Sequence, residues 1–101
     1  MSKTALITGA GPGIGRGIAI AFAQQGYNLT LSGRRLEPLK ETAAQCGGVK
    51  TEIATADVTD RTSVQTLVEK TITAFGRIDV LVNNAGINTK KRNLSDISDE
   101  D

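Results

Sequence analysis

The run Thr8-Gly9-Ala10-Gly11-Pro12-Gly13-Ile14-Gly15 is the part of this sequence best suited to chemistry, and the chemistry is anion binding. It follows an apolar run, Lys3 to Thr8, that reads as a buried strand, and it opens a stretch with helical spacing. The first amides of a helix have no intrahelical acceptor, and the helix dipole adds favourable potential for a phosphate. Glycines let the main chain approach a pyrophosphate where any side chain would stand in the way. The spacing departs from the dinucleotide fingerprint G-x-G-x-x-G, whose last place, counted from Gly9 and Gly11, falls on Ile14. No Gly-Lys-Ser/Thr follows, so the phosphate loop of the nucleoside triphosphatases is excluded. Taken alone, the glycines are also compatible with a tight strand-to-helix turn that holds no ligand.

Composition closes off other chemistries. A chain of 101 residues makes one domain at most. There is no histidine, so a histidine triad, relay or metal site cannot be built from this chain, and no metal is expected. The single cysteine, Cys46, rules out an internal disulfide and suits a reducing compartment, so a cytoplasmic protein is expected. Twelve basic residues against 11 acidic ones leave a net charge of +1, too little to recruit nucleic acid or an anionic membrane. Aromatic residues make up 3% of the chain, which argues against base stacking. No apolar run approaches the roughly 18 residues of a membrane span, and Ala5-Leu6-Ile7 is too short for a secretory signal.

The elements that must position the glycine run follow from periodicity and punctuation. Gly15 to Gln25 reads as a helix with Ile14, Ile18, Ala21, Phe22 and Gln25 on one stripe, ended by Gly26. Tyr27 to Leu31 alternates as a strand, with Ser32-Gly33-Arg34-Arg35 as the turn after it. Leu36 to Cys46 reads as a second helix stopped by Gly47-Gly48, with Pro38 tolerated in its first turn. Val49 to Ala56 is a third strand, and Asp57-Val58-Thr59-Asp60 is a loop that offers helix caps. Thr62 to Phe75 carries Val64, Leu67, Val68, Ile72 and Phe75 on one face, capped by Gly76. Asp79 to Val82 is a fourth strand running into Asn83-Asn84-Ala85-Gly86. Helices between strands predict a parallel sheet with right-handed crossovers, and a ligand site at the carboxyl ends of its strands. The expected class is α/β, a Rossmann-like three-layer fold with about four strands and three helices, incomplete as it stands.

Thr8-Gly9-x-x-x-Gly13-Ile14-Gly15, Asp57-Val58 after the third strand and Asn83-Asn84-Ala85-Gly86 after the fourth together resemble the short-chain dehydrogenase/reductase family over residues 3 to 101. The resemblance implies that residues 1–86 form an NAD(P)-binding Rossmann half-domain. Residues 87–101 are then a loop and tail ending where the next helix would begin. It further implies that Gly9, Gly11, Gly13, Ile14 and Gly15 line the pyrophosphate and the nicotinamide side. Asp57 would accept a hydrogen bond from the adenine amino group beside the amide of Val58. Asn83, Ala85 and Gly86 would contact the ribose region. Asp57 could instead cap the third helix, and the asparagines could serve the sheet alone.

The end of the second strand selects the cofactor. A carboxylate there accepts hydrogen bonds from the adenosine 2′-hydroxyl and favours NAD. Here no acid occurs before Glu37, and Arg34 and Arg35 occupy the turn. A guanidinium matches phosphate oxygens, so NADP is expected over NAD, with Arg34 the main 2′-phosphate ligand and Ser32 or Arg35 assisting. Solvated turn arginines are the alternative. Pro12 stands where some NADP-preferring relatives carry a basic residue, which removes one possible phosphate ligand.

The family's catalytic Tyr-x-x-x-Lys is missing. The one tyrosine, Tyr27, is followed four places on by Leu31, and it opens a strand, which reads as packing. No catalytic residue is therefore expected in this chain. It reads as the cofactor-binding half of an NADP-dependent oxidoreductase that acts on an alcohol or carbonyl, inactive alone. The alternatives are a non-catalytic dinucleotide-binding module, sensor or partner subunit, and a decayed product without a stable fold. The general look of this half resembles the 3-oxoacyl-carrier-protein reductases. The basic Lys90-Lys91-Arg92 reads as part of a solvated tail. Beside Ile78, Val80 and Val82 the sheet edge would be uncovered, so self-association is expected.

Overall fold

In a computed structural model, which describes residues 2–57 and 60–84, every element expected from the sequence is present. β1 (Thr4–Thr8), α1 (Ile14–Gln24), β2 (Asn28–Gly33), α2 (Leu36–Gln45), β3 (Thr51–Thr55), α3 (Arg61–Phe75) and β4 (Val80–Asn83) follow in that order. All pairings are parallel, and the sheet runs β3-β2-β1-β4. Handedness explains the layers. Right-handed crossovers from β1 to β2 to β3 step in one direction and place α1 and α2 on one face. The return from β3 to β4 steps the other way and places α3 on the opposite face.

Side-chain parity bears this out. Leu29 and Leu31 join Ala5, Ile7, Ala10, Ala19, Leu39 and Cys46 in one buried cluster, the side of α1 and α2. Thr30 between them turns to α3, where its Oγ1 accepts from the Thr71 hydroxyl at 2.9 Å. The sheet reverses its strand order between β1 and β4, and the crevice at the carboxyl ends there is where open α/β sheets bind ligands.

Two helical stripes differ from expectation. α1 buries Gly15 and Ala19, while Ile14 is 66% exposed and Ala21 and Gln25 also face solvent. The helix begins at Ile14, and its first turn presses Gly15 against the glycine run. A Cβ at Gly15 would collide with the Gly9 carbonyl oxygen, so only glycine permits this approach. α3 buries Leu67 and Thr71 and leaves Ile72 45% exposed. It is the only described helix on its face, so just a narrow i, i+4 line reaches the sheet.

β2 also runs further than expected. Ser32 and Gly33 pair with Ala54 and Thr55, so Ser32 is a strand residue and the turn begins after Gly33. The loop before α3 supplies its cap through Asp60, whose Oδ1 accepts from the Thr62 amide at 2.9 Å. Asp57 is therefore not the cap.

At the opposite end of the sheet, Asp79 fastens β4 to β1. Its Oδ2 accepts from the Thr4 amide at 2.8 Å, and its own amide donates to the Thr4 carbonyl at 2.8 Å. Arg77 grips the same carboxylate with two donors, at 2.9 and 2.7 Å. Arg77 and the Thr4 amide hold the Asp79 carboxyl below its ordinary pKa.

Candidate functional site: a glycine loop at the strand ends

The loop from Gly9 to Gly13 joins β1 to α1 through two backbone conformations that disfavour side chains, with φ of 62° at Gly9 and 77° at Gly13. Gly13 is the N-cap of α1, and no side chain caps the helix there. The first intrahelical bond runs from the Gly17 amide to the Gly13 carbonyl at 3.1 Å, so the amides of Ile14, Gly15 and Arg16 precede the ladder. No acidic residue stands in the first turn. The positive end of the helix is thus left uncompensated, which is what an anion requires.

Three neighbours hold the loop in place. The Ala10 amide donates to the Ser32 carbonyl at 2.9 Å. Asn84 Nδ2 donates to the Gly9 carbonyl at 2.9 Å. From α2, the buried Thr42 hydroxyl lies 2.7 Å from the Ala10 carbonyl and accepts from Arg16 Nε at 2.9 Å. On the β4 side, Thr8 Oγ1 lies 3.1 Å from Asn83 Oδ1 and 3.3 Å from the Val82 carbonyl. The two asparagines thus tie β4 to β1 and to the glycine run.

A cleft of about 160 Å³ connects this loop to the end of β2, lined by Gly9, Gly11, Pro12, Gly33, Arg34, Arg35, Pro38 and Leu39. The structure therefore brings Gly9, Gly11, Arg34 and Arg35 to one place. Arg34 Nη2 stands 3.8 Å from Asp57 Oδ1, with the two side chains 76% and 56% exposed, so Asp57 approaches from the end of β3. The pair is solvated and contributes little to stability.

Ser32 does not join this group. It is fully buried, and the alternation of β2 sends it to the side opposite Leu31 and Gly33, where its Oγ has no hydrogen-bond partner among the described residues. Val58, Ala85 and Gly86 lie outside the described residues, as does the 87–101 tail with Lys90-Lys91-Arg92. Tyr27 sits before β2 at the far end of the sheet, edge-on to Phe22 with ring centroids 4.8 Å apart. It is remote from the loop.

Sequence reasoning named Asn84 only within its motif and as serving the sheet, and it missed Thr42 and Arg16 as parts of the site. Thr42 carried a signal, since it lies on the Leu39 and Cys46 face of α2, where a hydroxyl needs a partner. Arg16 follows the glycines directly, but its turn toward α2 has no signature in spacing. Among the described residues no group of histidine, cysteine, aspartate or glutamate could hold a metal, and no helix is long and apolar enough to cross a membrane.

Comparison with known proteins agrees with the geometry. Oxidoreductase UcpA of Salmonella typhimurium is 46% identical over 101 residues, which cover 98% of this chain and 38% of that protein. L-sorbose reductase of Gluconobacter frateurii, solved with NADPH and L-sorbose, superposes with a TM-score of 0.81 at 35% identity, over 92% of this chain and 36% of that one. A short chain dehydrogenase/reductase of Burkholderia phymatum, solved with NAD, gives 0.76 at 33% identity, over 79% and 29%. This chain spans under half the length of each of these proteins. The profile of the short chain dehydrogenase family matches residues 3–101, and the chain belongs to that family.

Proposed function

We propose that this chain is the cofactor-binding half of an NADP(H)-dependent oxidoreductase that interconverts an alcohol and a carbonyl. The observation that carries the reading is the cleft joining the glycine run at Gly9, Gly11 and Pro12 to Arg34 and Arg35, in the loop that leads into the uncapped start of α1. The diphosphate would lie against the main chain from Gly9 to Gly15, with Ile14 at the nicotinamide side. The adenine amino group meets Asp57 beside the Val58 amide, and the ribose region meets Asn83, Ala85 and Gly86. The nicotinamide, when bound, supplies or accepts the hydride.

Solved relatives carry NADPH in one case and NAD in another, so the preference rests on this chain's own residues. No acid stands on β2 or the turn after it before Glu37, and two guanidiniums line the cleft. Arg34 is the 2′-phosphate ligand, with Arg35 assisting. Ser32 faces the other side of the sheet and is left out of this set. Without a Tyr-x-x-x-Lys the chain binds cofactor and does not turn substrate over alone.

The single free and buried Cys46 fits a reducing, cytoplasmic setting. The outer edge of β4 is unpaired among the described residues and Leu81 is 56% exposed, which supports self-association of the chain.

The test is the ratio of NADPH to NADH affinity in wild type and Arg34→Ala. A charge-assisted hydrogen bond is worth about 1.5–3 kcal/mol, so the ratio should fall at least about tenfold. An unchanged ratio contradicts the assignment.

A further inference from the structure

A glycine-rich loop has a cost built into it. Glycine loses more conformational freedom on ordering than any other residue, and its peptide units turn over easily because no Cβ resists them. If the Ala10–Gly11 peptide turned, its carbonyl oxygen with its partial negative charge would face the anion the loop is shaped to receive; the next peptide is already restrained by the fixed φ of Pro12. Something outside the loop must therefore hold the Ala10 carbonyl inward.

Thr42 is placed to do so. Its side chain is fully buried on α2, and its Oγ1 lies 2.7 Å from the Ala10 carbonyl and 3.2 Å from the Gly11 carbonyl. A hydroxyl has a single proton, and the third carbonyl in reach, that of Pro38 at 3.1 Å in its own helix, competes for it. Arg16 decides the competition. Its Nε donates to Thr42 Oγ1 at 2.9 Å, occupying a lone pair, and its Nη2 donates to the Pro38 carbonyl at 3.1 Å. With Pro38 served by the guanidinium, the hydroxyl proton goes to the loop. Glu41 completes the arrangement by accepting from Arg16 Nη2 at 3.2 Å, which turns the Arg16 charge toward α2. At Gly11 the loop also packs on α2, where an added Cβ would meet Pro38 Cβ at 3.2 Å.

We propose that Thr42, with its hydroxyl proton steered by Arg16, is a positioning residue for dinucleotide binding. It keeps the Ala10 carbonyl turned away from the diphosphate and holds the loop ready before the ligand arrives. The proposal rests on the reading of the cleft as a dinucleotide site. Preorganisation of this kind raises affinity by removing the cost of ordering at the moment of binding.

The experiment measures NADPH dissociation constants and melting temperatures for wild type, Thr42→Val, Thr42→Ser and Arg16→Gln. Thr42→Val keeps the shape and removes the hydroxyl. It should weaken NADPH about tenfold at a temperature where the variant is fully folded, and Thr42→Ser should restore binding to within about twofold. Arg16→Gln, which perturbs the interior less, should weaken NADPH about threefold and serves if Thr42→Val does not fold. A lowered melting temperature with unchanged NADPH affinity in both Thr42→Val and Arg16→Gln would show a merely structural contact and overturn the proposal. So would a Thr42→Ser variant that folds but binds no better than Thr42→Val. Failure of wild type to bind either nucleotide removes the functional reading itself and the proposal with it. Wild-type binding matched by Thr42→Val refutes the positioning role alone.

Discussion

Gly15 and Gly17 stand two places apart on α1 and should respond in opposite directions to the same change, replacement by alanine. At Gly15 a new Cβ collides with the Gly9 carbonyl oxygen and lies 2.8 Å from Asn84 Nδ2. Those two atoms are the partners of a single 2.9 Å hydrogen bond. The obstacle is main chain, so the loop itself must move. Overpacking costs about 1–3 kcal/mol and a lost hydrogen bond about 0.5–1.5 kcal/mol. The gain in helix propensity offsets about 0.5–1 kcal/mol of this. A net destabilisation of about 1–3 kcal/mol follows, a drop in Tm of roughly 5–20 °C for a domain of this size. At Gly17 an added Cβ meets nothing within 4 Å, and the residue is exposed in the helix. There the propensity gain stands alone, and Gly17→Ala should raise Tm by about 3–6 °C. Thermal melting followed by circular dichroism at 222 nm reads both. A Gly15→Ala chain melting at or above wild type, or a Gly17→Ala chain melting with it, would refute the close approach of α1 to the loop.

Two further outcomes follow from the same packing. The Asp79 carboxyl is held below its ordinary pKa by Arg77 and the Thr4 amide. Its contribution to stability is therefore full above the unfolded value, near pH 4, and disappears as pH falls through the lower folded value. Asp79→Asn should lower Tm at pH 7 and flatten the loss of Tm as the pH falls below about 4, whereas an acid profile identical to wild type contradicts the clamp. Sedimentation of the 101-residue chain should show association that rises with concentration and weakens in Leu81→Lys, because a charge on β4 opposes strand pairing. A monomer at all concentrations would remove the inference drawn from the β4 edge.

The order of elements was legible because punctuation and periodicity agree at the carboxyl end of each helix. Gly26, Gly47 and Gly76 all take positive φ where the helices stop, and the alternation of β2 reads directly from Leu29, Thr30 and Leu31. Helical stripes were less legible. Ile14 and Ile72 fit an apolar period, but an apolar residue is drawn inward only where another element covers it, and neither is covered among the described residues. Ser32 shows a limit of one residue in register. Placing it in the turn put its hydroxyl beside Arg34, while one more strand residue sends it to the opposite face. The glycine loop and the arginines could be located from local spacing alone. Thr42 and Asn84 reach the loop across 31 to 75 residues of chain, Arg16 reaches Thr42 across 26, and all three depend on packing that no local pattern encodes.

The central claim is that main-chain amides at the start of α1 receive the diphosphate of a nicotinamide dinucleotide. The most direct measurement is a ¹H–¹⁵N correlation spectrum of the chain titrated with NADPH. The account predicts the largest shifts at the amides of Gly11, Gly13, Ile14 and Gly15 together with Arg34, and small shifts around Tyr27 and Asp79 at the other end of the sheet. Saturating NADPH that leaves the Gly13 to Gly15 amides unmoved, or that shifts only the far end, would contradict it.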